Sequence, residues 1–246
     1  HMGTVREHGL IIKQNDYGDG HRMLNIFTES YGIIRAVSYS AKRQRNSSAA
    51  SSQFMCFGEF DLYLSNRDIA NVNSVSVTET FTPITEDIVK LSLCTYLADI
   101  TYAMLGENNP DERLLKTLLN TVYALAYRNE APDKVKAVYE LRLMTIEGYM
   151  PNLGVCGCGS RETCAFDFDK GSMVCRSCRG KNSTSVSAGV YKAMYYITQA
   201  EDKRIFSFTG NDTLFKELEN ISERYLLTHI DRSFRSLDYY KKIKDM

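Results

Sequence analysis

Seven cysteines lie in the 246-residue chain, and four of them form two close pairs, Cys156-Gly157-Cys158-Gly159 and Cys175-Arg176-Ser177-Cys178. Two thiolates a few residues apart can grip one side of a metal ion, and a second pair closes the other side, so the pattern reads as a tetrahedral Zn²⁺ site. The second pair has the usual two intervening residues, while the first is one residue short. Cys164 lies between the pairs and could replace either early cysteine. A site made of four thiolates has no position for water and is therefore of the structural kind, which argues against a zinc hydrolase. Cys56 and Cys94 sit in apolar patterns and read as core residues.

The metal reading depends on a reducing compartment. No signal peptide is recognisable after His1-Met2, which reads as an appended remnant, and no apolar run approaches the length of a membrane span. A cytoplasmic chain that does not enter a membrane is expected, where lasting disulfides are rare. Lys+Arg and Asp+Glu both number 30, so net charge says nothing about a partner. The distribution of charge says more. No acid occurs between Glu29 and Glu59, an interval holding Arg35, Lys42, Arg43 and Arg45, and none occurs from Lys170 to Ala200. Such blocks can place positive potential on one surface of a neutral protein.

Up to about residue 80 the chain reads as five short strands. Apolar runs at Leu10-Ile11-Ile12, Met23 to Phe27 and Ile33 to Tyr39 are divided by Gly- and Asn-containing turns, a period-two stretch covers 54–64, and Val72, Val75 and Val77 mark the last strand. Five short strands suggest a small closed barrel, and an oligonucleotide-binding (OB) fold is the candidate. The segment 40–52 has too few apolar residues to bury itself and is expected to be a surface loop. Tyr31, Tyr39, Phe57 and Tyr63 are candidate stacking surfaces for unpaired bases. From Pro83 the period becomes 3.6. Helices are expected to Leu105, from an Asn109 cap with Pro110 in the first turn, from Pro132 to Gly148, from Ala188 to Thr198, and from Asn211 onward. The fold class expected is α+β, with the barrel at 3–80, an all-helical domain at 81–246 and a zinc-binding loop inserted at 154–181.

No phosphate-binding loop, HExxH helix or nucleophile and base pair is present, which favours a binding protein over an enzyme. Several stretches resemble the RecO family of bacterial recombination mediators. They are Gly9-Leu10-Ile11-Ile12-Lys13, Tyr17-Gly18-Asp19, Ile34-Arg35-Ala36-Val37, Tyr139-Glu140-Leu141-Arg142-Leu143, Gly148-Tyr149-Met150-Pro151-Asn152-Leu153, the cysteine pairs and Arg235-Ser236-Leu237-Asp238-Tyr239. The family's first knuckle is usually C-x₂-C-G, so this chain departs from it by one residue. The resemblance implies an OB domain followed by helices with a zinc loop. It also implies a non-enzymatic role: binding single- and double-stranded DNA, annealing strands, and acting with RecR to help RecA displace the single-stranded-DNA-binding protein SSB, whose C-terminal tail is a partner. On that reading Lys42, Arg43 and Arg45, with Arg35, Lys13 and Arg22, are the expected phosphate contacts. Cys156, Cys158, Cys175 and Cys178 are the expected ligands. A zinc-stabilised protein adaptor without significant DNA binding is the alternative.

Overall fold

The computed structural model describes residues 3–39, 50–66 and 68–246. Five strands open the fold: β1 (Gly3–Tyr17), β2 (His21–Thr28), β3 (Gly32–Ser38), β4 (Phe57–Leu64) and β5 (Ile69–Glu79). They hydrogen-bond in the order β1-β2-β3-β5-β4, and β4 pairs back onto β1 to close a barrel. All neighbours are antiparallel except β3 and β5, which run parallel over Arg35–Val37 and Ile69–Asn71. Closure removes the free edges that a five-stranded sheet would otherwise expose. Ile11, Leu24, Ile26, Ile34, Ala36, Phe60 and Leu62 fill the interior.

Two irregularities explain why period-two reading falters in places. A bulge between Ile11 and Lys13 sets Lys13 opposite Asn25, and a shift between Asp61 and Leu62 lets Val72 and Val75 both pack on the barrel core although their parity differs. Met55, with φ of 68°, breaks the alternating stretch 54–64 before the strand begins at Phe57.

The helices follow as α1 (Thr82–Thr85), α2 (Ile88–Leu105), α3 (Glu112–Tyr127), α4 (Pro132–Ile146), α5 (Ala188–Gln199), α6 (Asp212–Ile230) and α7 (Arg235–Lys244). A small sheet of β6 (Ala165–Asp167), β7 (Ser172–Val174) and β8 (Ser183–Ser185) interrupts them, in the order β7-β6-β8. Asp87 caps α2 by accepting from the amides of Val89 and Lys90. The cap of α3 is Asp111 and not Asn109: the Asp111 carboxylate accepts from Leu114 N, while Asn109 donates to Leu105 O and so serves the preceding helix end. Gly148 ends α4 with φ of 89°, as its sequence position predicts.

One further expectation is corrected. α2 is 18 residues long with a mean hydropathy of 1.3, so by length and composition one helix does reach the span of a membrane. Its Leu93, Cys94, Tyr96, Leu97 and Ile100 are fully buried inside the bundle, and α4 and α7 both pack on it. The basic, aromatic C-terminal stretch contains α7, whose Leu237 and Tyr240 are buried and whose preceding Phe234 meets Tyr96 edge-on.

Barrel and bundle share one apolar core, because Leu10, Ile12, Phe27 and Ile33 point out of the barrel into the helices. The chain after α2 runs beside β3, where Ile33 pairs with Glu107 and Asn108 N donates to Ile33 O at 3.0 Å. Gly32 has φ of 70°, and a Cβ there would lie 2.4 Å from Asn109 O, so only glycine fits this crossing.

The bundle also buries charge. Lys136 on α4 is fully buried with its ammonium 3.2 Å from Glu140, 3.4 Å from Glu219 and 2.9 Å from Glu223. Burial alone would discharge it, but the three carboxylates raise its pKa above the ordinary lysine value. Glu140 also accepts from Tyr96 and Ser222, tying α2, α4 and α6 together. Lys136→Met removes the cation and leaves three carboxylates facing one another, so a loss of about 3–5 kcal/mol is expected from the urea midpoint; a loss under about 1 kcal/mol contradicts the network.

Where α4 ends, burial and the hydrogen-bonded Asp111 carboxylate push Glu147 up to about 7. A carboxyl raised above its unfolded value of about 4.3 adds stability that is fully present below about pH 4 and is lost as pH rises through 7. Glu147→Gln is therefore expected to flatten the fall in urea midpoint between about pH 5 and 7.5, and a variant with the parent's slope contradicts the pairing.

Candidate metal centre and barrel surface

The cysteine loop is held to the bundle before any ion is considered. Asn152 N donates to Gly171 O, Met173 N donates to Asn152 O, and Tyr225 on α6 donates to Tyr149 O. Phe166 of β6 meets Tyr225 and Phe168 edge-on, and the Arg224 guanidinium lies 4.3 Å from the Phe168 ring centroid. Cys175 follows β7 directly, so the hairpin carries the second cysteine pair to the first.

The first pair is shaped by a tight turn in which Gly159 N donates to Cys156 O at 2.7 Å and Gly159 adopts φ of 88°. Cys156 N donates to Ser160 O, and in the second knuckle Cys178 N donates to Cys175 O. The sulfurs of Cys156, Cys158, Cys175 and Cys178 all lie within 4.8 Å of one another, with Cys158 and Cys175 3.8 Å apart. A Zn–S bond of about 2.3 Å gives a tetrahedral S–S edge of about 3.8 Å, so four thiolates so spaced could hold a metal ion, and their softness fits zinc.

Backbone amides of Cys158 and Cys175 hold the Cys156 thiol down at about 6, while hydrogen bonding to Cys158, Cys175 and Cys156 pushes Cys178 up to about 12. Among the described residues this is the group of metal-binding side chains that converges, and Cys164 is not in it. Cys164 instead continues β6: its amide donates to Val174 O and its carbonyl accepts from Val186 N, and its side chain is exposed. Cys56 and Cys94 are buried, as their apolar surroundings predict, and burial raises both thiols.

The expected phosphate contacts fall into three groups. Lys13, Asn25 and Arg35 stand in one register row across β1, β2 and β3, on the outer face, because their neighbours Ile11, Leu24, Ile26, Ile34 and Ala36 fill the interior. Lys13 is exposed, and Arg35 Nε lies 3.3 Å from Glu107. Glu107 also accepts from Tyr102 OH at 2.7 Å, which raises the Tyr102 pKa. Arg22 shares the inward parity of Leu24 and Ile26, and its guanidinium donates to Ser52 Oγ at 2.9 Å at the barrel end covered by residues 50–54. It therefore does not join the Lys13–Arg35 row. Lys42, Arg43 and Arg45 lie outside the described residues. Of the four aromatic candidates, Tyr31, Tyr39 and Tyr63 are exposed, while Phe57 is half-buried against the shared core.

A second set of cations escapes sequence reading because it spans three segments. Arg113 donates to Asp202 from Nε at 3.3 and 3.1 Å and from Nη2 at 3.0 Å, and Arg142 donates to Ile197 O, Ala200 O and the same Asp202. Beside this clasp a groove of about 580 Å³ is lined by the cations Arg113, Lys116, Arg128 and Lys203, by Asn120, and by the acids Glu112 and Asp202, with Glu112 paired to Lys116. Among the cations only Arg113 belongs to a recognisable helix start in the sequence.

A closed five-stranded barrel, a helical bundle and a four-thiol loop in one chain are the features that comparison with known proteins has to match. Residues 85–238 match the family description "Recombination protein O C terminal", and residues 2–81 match "Recombination protein O N terminal". A protein of Acetivibrio thermocellus named DNA repair protein RecO is 31% identical over 98% of both chains. Proteins of the same name from Alkaliphilus metalliredigens and Caldicellulosiruptor saccharolyticus are 28% and 24% identical, covering 97% and 99% of this chain and 99% and 100% of their own lengths. The chain belongs to the RecO family of DNA repair proteins.

The metal assignment is tested by elemental analysis of chain purified without chelator. Cys164→Ala is expected to keep about one zinc per chain and Cys175→Ser to lose it; loss of metal from Cys164→Ala contradicts the ligand set.

Proposed function

We propose that this chain is a non-enzymatic recombination mediator that binds single- and double-stranded DNA, anneals complementary strands, and acts with RecR to help RecA displace SSB. The observation that carries this reading is the outward Lys13–Asn25–Arg35 row on a closed five-stranded barrel, in a chain of the RecO family. The strand order and the parallel β3–β5 closure support an OB fold, which the proposal places at 3–80 ahead of a helical domain at 81–246. Lys13 and Arg35, together with the Lys42, Arg43 and Arg45 of the sequence, would neutralise backbone phosphates without reading sequence. Two strands drawn to one cationic surface repel each other less, which is the physical basis of annealing.

Cys156, Cys158, Cys175 and Cys178 would hold Zn²⁺ as a structural ion that fixes the loop at 154–181. When bound it supplies rigidity and no reaction chemistry. The groove holds four cations, Arg113, Lys116, Arg128 and Lys203, against two acids, Glu112 and Asp202, and that excess of positive charge on a concave surface supports an acidic peptide such as the SSB tail as its occupant. The reading places the protein in the cytoplasm with the chromosome.

The test is the salt dependence of single-stranded DNA binding. The double variant Lys13→Ala/Arg35→Ala is expected to bind more weakly at low salt, with the slope of log K against log salt reduced by about 1.4, near 0.7 for each phosphate left without its cation. Unchanged affinity and slope would remove the row from the interface.

A further inference from the structure

We propose that the open end of the barrel takes one unstacked base of single-stranded DNA. The inference rests on the DNA-binding reading above and specifies what the barrel recognises. The two ends of the barrel differ. At one end Gln14 accepts from Phe54 N and Arg22 donates to Ser52, so residues 50–54 cover the interior. At the other, where β1 begins and β4 ends, the interior opens into a cavity of about 420 Å³. Val5, Ile34, Leu64 and Ala70 form its apolar floor, and Thr4, Ser65, Asp68 and Asn108 its polar rim. A cavity of this size and lining is that of a small-ligand site, in the range of about 300–1,000 Å³.

Charge decides which part of a nucleotide enters. Among the described lining residues one carboxylate, Asp68, stands against one cation, Arg35, which Glu107 already partners, so the cavity offers a phosphate little net charge, whereas an uncharged base meets apolar walls and a polar rim. The phosphate belongs at the edge, where Arg35 lines the cavity and ends the row that begins at Lys13. Arg35 reaches it by leaving Glu107, a half-exposed pair of the kind that contributes little on its own. Tyr31, 38% exposed in the β2–β3 turn, borders the same cavity and offers its ring to the base. Its amide donates to Thr28 Oγ1, so the turn keeps its shape whatever the side chain. A base inside a duplex is stacked and paired on its inner edge, so the site selects unpaired strands.

The experiment compares a 15-nucleotide single strand with a strand of equal length carrying abasic residues throughout, which presents the same phosphates without bases. Full-length chain is expected to bind the abasic strand about tenfold more weakly with the same salt slope. Tyr31→Ala is expected to weaken the normal strand about tenfold and leave the abasic strand and duplex unchanged. Deoxyadenosine monophosphate should shift the amide resonances of Ser65, Asp68 and Asn108, and deoxyribose 5-phosphate should not. Equal binding of the two strands, or a Tyr31→Ala variant indistinguishable from the parent on both, overturns the base site while leaving phosphate binding intact. Failure of both strands to bind at low salt overturns the DNA reading itself and the base site with it.

Discussion

Everything the barrel can do is set by the side it has already buried. Leu10, Ile12, Phe27 and Ile33 leave the barrel to enter the helical core, and the chain after α2 is stitched to β3 through Ile33 and Asn108. A closed barrel alone has an outer surface available all round. Here one sector is given over to the bundle, and the Lys13–Asn25–Arg35 row and the open end beside Asn108 are among the polar surfaces that stay outside it. The bundle thereby contributes to the barrel's site, since Glu107 and Asn108 come from its own connection.

The two halves treat charge in opposite ways. In the bundle, Lys136, Glu140 and Arg142 are buried and bonded to one another, to residues on other helices or to carbonyls, with Arg142 Nε left without a partner, so they hold helices in register and are closed off from solvent. On the barrel, Arg35 is half-exposed beside Glu107 and Lys13 stands in solvent. A buried cation stripped of its carboxylates would destabilise the fold, whereas an exposed one can exchange a carboxylate for a phosphate at little cost. The same residue type is structural in one half and available in the other because of burial alone.

Much of this is legible in the sequence, and the failures have physical causes. The strands and the main helices follow from period, caps and turn residues, and the cysteine quartet follows from spacing even with a shortened first knuckle. Arg22 defeats a list of cations because such a list ignores parity, which places it with Leu24 and Ile26, pointing to the covered barrel end. The sheet of β6, β7 and β8 escapes notice because strands of three residues carry too little periodicity to register. α7 carries little signal of its own, since its buried face consists of just Leu237 and Tyr240 among charged neighbours. Glu140 and Arg142 look like surface charges until α4 is seen to be covered on all sides. The cavity at the barrel end and the groove at Asp202 draw residues from distant segments, and no local pattern announces either.

The central claim is that unpaired DNA lies on the free sector of the barrel and at its open end, and that the cysteine loop is a clasp. Amide hydrogen exchange of the full chain, with and without a saturating single strand, tests it most directly. The account predicts added protection in residues 11–14, 22–37 and 64–70 and at Asn108, with residues 154–181 unchanged. Protection confined to 154–181, with the barrel unaffected, would contradict it.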